Sequence, residues 1–160
     1  MVESTEIPAG YEPNGNEKIL IAKYLESNTV IIDPGFSKSV TLLQTEAEVR
    51  SSTISDVEYD FQLCLNRGEY YIGNAVINFF LDSEPAEGTL FVNLVAMAIS
   101  SLVINDNKCT EASFYQNHKI PLDMKNLSLH AWNTVQVRYF SKYNTNCTGL
   151  HTFTDLKDQN

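Results

Sequence analysis

Nine residues of strict alternation, Val57 to Leu65, constrain this chain more than any other stretch. Val57, Tyr59, Phe61, Leu63 and Leu65 fall on one side of an extended backbone, and Glu58, Asp60, Gln62 and Cys64 on the other. Successive side chains of a strand point to opposite faces, so this spacing fits a strand with one face on a core and one in water. A helix would scatter the same residues around its axis. Asn66-Arg-Gly-Glu follows as a tight reversal, with Gly68 available for a positive φ angle. Glu69 to Leu81 then returns as a long second strand, apolar on both faces toward Ile77-Asn-Phe-Phe-Leu, with a break or bend expected near Gly73. On its solvent-side face Cys64 reads as a buried free thiol or a small filler against a second layer.

The rest of the chain repeats the theme at short intervals. Thr89 to Leu94 and Ala98 to Ile104 read as strands, with a turn at Asn105-Asp-Asn-Lys. Cys109 to His118 has little periodicity. Lys119-Ile-Pro-Leu reads as a strand edge, because Pro121 has no N–H to give a ladder. Trp132 to Phe140 is a clear strand, with Val135, Val137 and Tyr139 on one face and Thr134, Gln136 and Arg138 on the other. Ser141 to Gly149 is a polar connection, and Leu150 to Phe153 starts another extended segment. Eight Tyr and eight Phe suit a sheet-rich protein. The predicted fold is all-β, an antiparallel sandwich or saddle-like sheet over residues 51–160. Residues 1–50 are predicted as an N-terminal arm, extended or partly helical. Within it Lys18 to Ser27 has roughly helical spacing, Asn28 to Ile32 reads as a strand, and Ser37 to Thr53 as a short extended piece followed by a loop.

Eleven basic against twenty acidic residues leave a net charge of −9. That balance disfavours nucleic-acid phosphates and anionic membrane surfaces as broad partners, and serves solubility or a basic partner protein. The first residues lack the basic start and apolar core of a secretory signal, and are acidic where a mitochondrial presequence would be Arg-rich. The longest apolar runs, such as Val92 to Ile104, are interrupted and too short to span a bilayer. The expectation is a soluble intracellular protein, cytoplasmic or cytoskeletal, without membrane insertion. Three cysteines, Cys64, Cys109 and Cys147, are an odd number in such a setting, so no disulfide framework is expected.

Chemistry-bearing residues are sparse. His118, His130 and His151 stand alone, without an HExxH or CxxC pattern that would converge on zinc. A nucleophilic pair of Cys147 or Cys109 with His118 or His151 is conceivable from residue types alone, and loop side chains are the plainer account. Asp56, Glu58 and Asp60 alternate along one strand face and read as solvated surface rather than an acid–base pair. No catalytic, cofactor-binding or metal-binding residue is assigned.

Taken in order, the strand Tyr59 to Leu65, Tyr71-Ile-Gly73, the run Leu90 to Ile104, Ile120-Pro-Leu122, the strand Asn133 to Tyr139, then Tyr143 and Gly149-Leu150 resemble the N-terminal β-domain of the zinc aminopeptidases of the aminopeptidase N family. The likeness covers about Arg50 to Asp155. It departs at Ala131-Trp132, where the family usually has Gly-Leu or a close equivalent before Asn133. The family continues with further strands, a Gln that helps hold the substrate amino terminus, and a catalytic domain carrying zinc. None of those has a counterpart here, so the resemblance implies a fold without the family's chemistry. It implies a non-catalytic structural or interaction subunit, with an accessory chain of a split zinc aminopeptidase as the alternative. A sandwich short of its last strands leaves unpaired edges, and a protein partner is expected at the N-terminal arm and at the C-terminal sheet edge. Phe79-Phe80, Trp132 and Tyr139-Phe140 are the aromatics that such a partner would cover, with about half of them expected in the core.

Overall fold

A computed structural model describes residues 31–32, 42–65, 69–85, 90–110, 115, 117–145 and 149–153. The alternating segments form antiparallel strands throughout. In chain order the elements are β1 (Ile31–Ile32), α1 (Gln44–Thr53), β2 (Ile54–Leu65), β3 (Tyr70–Leu81), β4 (Leu90–Asn93), β5 (Ala98–Ile104), β6 (Asn107–Lys108), β7 (Lys119–Leu122) and β8 (Ala131–Lys142). Two sheets result. The larger has the order β1-β5-β8-β3-β2, with β6 pairing to β5, and the smaller is β4-β7. This is the all-β, antiparallel architecture that the strand spacing predicts. Residues 18–30 and the Asn66–Gly68 reversal lie outside the described residues.

The core sits on one face of the large sheet. Ala75, Ile77 and Phe79 of β3, Val135 and Val137 of β8, and Leu102 and Ile104 of β5 form its floor. Leu90 of β4 and Ile120 and Leu122 of β7 close it from above, together with Tyr115 and Ala96. The Tyr115 ring is fully buried, and its hydroxyl accepts from the Ala96 N–H at 2.9 Å while standing 2.8 Å from the Leu94 carbonyl oxygen. A buried phenol needs such partners, and this one ties the β4–β5 connection to the core.

Turn chemistry fixes the hairpin between β5 and β6. Asn105 and Asp106 both have positive φ, 45° and 66°, as a two-residue reversal that follows the sheet's twist requires. Asn105 then links elements. Its Nδ2 donates to the Asn133 Oδ1 at 2.6 Å, and its Oδ1 accepts from the Thr134 N–H at 2.8 Å. Buried Asn133 also accepts from the Ser128 N–H and donates to the Ser128 and Ala131 carbonyls. Its polar atoms are satisfied, so the hydrogen bonds that link β5 to β8 offset the cost of burying its amide.

Four local expectations are corrected. Residues 44–53 form a helix rather than a loop. Gln44, Glu46, Ala47, Glu48 and Arg50 favour helix, but Thr53 is its one buried residue, so no apolar period betrays it. β3 does not break at Gly73. It pairs with β2 and β8 without a register shift there, and a Cβ at Gly73 would stand 2.1 Å from the Tyr139 ring. Glycine is required there for the close approach of that ring. Cys64 is exposed, because β2 is the sheet edge and no second layer among the described residues covers its outer face. Further along, Leu150–Phe153 forms no strand. His151 makes a single parallel bridge with Asn144.

The largest correction concerns the C-terminal sheet edge. β8, the last of the described strands, lies between β5 and β3, paired with β3 along its whole length and with β5 from Val135 to Phe140. Among the described residues, the long open edge of the sheet is β2. Chain order misleads here because antiparallel connections can return a late strand to the middle of a sheet.

Candidate functional site

β2 is twelve residues long, and among the described residues nothing pairs with its outer side. Tyr59 stands opposite Ile77, Phe61 opposite Ala75 and Leu63 opposite Gly73. Directly opposed residues of an antiparallel pair share a face, so the apolar stripe of β2 looks toward the core side. The stripe is nevertheless open: Val57, Tyr59, Phe61, Leu63 and Leu65 are 44–61% exposed, while Ala75, Ile77 and Phe79 beside them are 7% or less. The reason is geometric. β4 and β7 cover β3, β8 and β5, and their small sheet stops short of β2.

A bulge marks the start of the open strand. Ser55 and Glu58 pair with Phe80 and Asn78, so Asp56 and Val57 together oppose the single residue Phe79. Asp56 takes φ 48° to make room. Bulges twist an edge and discourage pairing, and this one guards the first third of β2. Beyond it, Glu58 to Leu65 carries no Pro and no basic residue.

Between the stripe and β4 runs a groove of about 380 Å³, floored by Ile77 and Phe79 and walled by Tyr59, Phe61, Phe91 and Arg50. Phe91 at its rim is flanked by two cations. The Arg50 guanidinium lies 4.1 Å and the Lys119 ammonium 4.0 Å from the ring centroid. Cations over an aromatic face are attracted by its quadrupole. Arg50 also donates to the Asn93 Oδ1 at 2.7 Å, and Lys119 is ion-paired with Glu46. Burial draws the Arg50 guanidinium below its ordinary value, an effect that the Glu46 carboxylate opposes. The hydrogen bond from Lys119 and the Leu43 N–H hold the Glu46 carboxyl below the usual carboxylate range. These contacts join α1 to β4 and β7, and so give the groove a fixed wall. Periodicity offers no signal for that wall, because Arg50 and Asn93 meet across 43 residues of sequence.

The other residues singled out by their chemistry are dispersed. His118 and Cys109 are buried, while His130 and His151 are exposed. Cys147 lies outside the described residues. Among the described residues, no three His, Cys, Asp or Glu side chains come together as a metal site would require. Glu58 and Asp60 are solvated, as their alternation predicts. Of the aromatics, Phe79 and Tyr139 are core, and burial pushes the Tyr139 phenol up. Trp132 is 51% exposed and meets Phe80 edge-on on the opposite face of the sheet. Among the described residues no helix is long and apolar enough to cross a membrane. No protein-family model matches the chain, and comparison with curated proteins likewise gives no match.

Proposed function

We propose that this chain is a non-catalytic interaction subunit of a larger intracellular assembly, and that β2 is its docking edge. The observation carrying this reading is the open stripe from Val57 to Leu65, five half-exposed apolar side chains along a strand whose outer backbone edge is unpaired among the described residues. Strand addition would use both at once: backbone groups supply the ladder, and alternate side chains enter the groove beside Phe91. The resemblance to the β-domain of aminopeptidase N-type enzymes belongs to the same proposal, as a scaffold retained for binding without the zinc chemistry.

Placement of a photoreactive residue tests it. Introduced at position 63 on the stripe, it should capture a protein chain in the native source. At position 136, exposed on the opposite face of the central strand β8, it should not. Equal capture at both positions, or none at 63, removes the reading. Hydrolysis of aminoacyl chromogenic substrates by the purified native complex, abolished by a zinc chelator, would instead establish the split-enzyme alternative.

A further inference from the structure

Whatever occupies the β2 edge must continue an apolar face on one side and tolerate a row of acidic residues on the other. β2 itself meets both demands. When two copies pair antiparallel about a two-fold axis normal to the sheet, their apolar faces fall on the same side and the interface is self-complementary. Register then decides the electrostatics. A pair centred on Asp60 would set the two Asp60 carboxylates opposite each other, and one centred on Tyr59 would oppose Glu58 and Asp60 twice. Centring on Phe61 sets Asp60 against Gln62, Glu58 against Cys64 and Tyr59 against Leu63. It overlaps the two strands from Glu58 to Cys64, clear of the bulge, keeps the apolar faces aligned and opposes no two carboxylates.

We infer that the partner at β2 is a second copy of this chain, joined by antiparallel pairing of the two β2 strands about Phe61. This rests on the docking reading above and names its occupant. The stripe offers on the order of 400 Å² of contiguous apolar area per copy before the backbone edge is counted, within the roughly 300–600 Å² of the largest patches on monomers, which are often functional. The like net charges of −9 oppose association at long range, so the dimer tightens as salt is added. Pairing with a basic peptide would weaken instead.

Sedimentation velocity on the full chain measures this directly. The expected result is a species of twice the 18 kDa chain mass that grows with concentration and with salt. Phe61→Lys, at a 56% exposed position that leaves the core intact, should weaken dimerisation by about 100-fold or more, since each copy brings a charge to the axis. Register is read by Glu58→Cys in a Cys147→Ser background. Positions 58 and 64 of one strand are about 20 Å apart and cannot join. A disulfide-linked dimer that forms on mild oxidation with both thiols present, and is lost when either Glu58→Cys is omitted or Cys64→Ser is added, reports that position 58 lies against Cys64 of the second copy. A monomer at every concentration and salt overturns the inference. So does a dimer that survives Phe61→Lys or fails to cross-link. If the chain is monomeric while photocapture at position 63 still yields another protein, self-pairing falls and the docking edge stands. If position 63 captures nothing, both fall.

Discussion

β2 and β3 are neighbouring strands of twelve residues, paired along their length, and both alternate apolar residues on the core-side face. Their fates differ. Phe79 on β3 is 2% exposed, whereas Phe61 on β2 is 56% exposed. Alternation therefore tells which side chains share a face, and says nothing of whether another layer reaches that face. On β3 the β4–β7 sheet does reach it, and the apolar face becomes core. On β2 the same kind of face stays open to solvent. Similar residues serve stability on one strand and, in the proposed reading, recognition on its neighbour.

The sharpest way to break this comparison is to truncate the same side chain on each strand. Phe79→Ala should cost about 3–5 kcal/mol, from lost burial and the cavity left behind. Phe61→Ala should cost less than about 1 kcal/mol in the isolated chain, because its ring already faces water. Urea denaturation of both variants, under conditions where the chain is monomeric, measures the difference. Equal losses would mean that β2 is covered after all.

A smaller effect is expected at Gly73, which touches both sides of the question through its pairing with Leu63 and its contact with Tyr139. Gly73→Ala forces the Tyr139 ring to move and should cost about 1–3 kcal/mol, as overpacking usually does. Gly73→Ala combined with Tyr139→Leu should recover part of that loss, with thermal melts of the two variants as the readout.

The smallest effect concerns the groove wall. Glu46 is held below its ordinary pKa chiefly by Lys119, so its charged form is favoured in the folded state. Its contribution is present in full above the ordinary carboxylate range, about 4.3, and is lost as pH falls from there through the lowered folded value. The melting-temperature gap between the native chain and Glu46→Gln should accordingly be small at neutral pH and close on acidification. A gap independent of pH would show that the Lys119 pairing does not anchor α1.

Much of the architecture was legible in the chain. Val57–Leu65 and Trp132–Phe140 announce strands by their period of two, and Asn105-Asp106 announces a tight turn by residue types that tolerate positive φ. The helix at Gln44–Thr53 was not legible from periodicity, because it buries almost nothing. The groove wall was hidden for a different reason. Arg50, Phe91 and Lys119 meet only through tertiary folding, and pattern reading within a window cannot join them.

By itself, then, the sequence determined that this chain folds into antiparallel sheets, which residues share each face, and where the tight β5–β6 turn falls. Those are consequences of backbone periodicity and local steric preference, which act over a few residues. Only the tertiary structure decided that β8 lies in the interior of the sheet, that β2 is the long open edge among the described residues, and that the β4–β7 layer stops before covering it. Strand order and layer coverage depend on which distant segments pair and how far a short sheet can reach. That is why the open edge became visible only in the assembled fold.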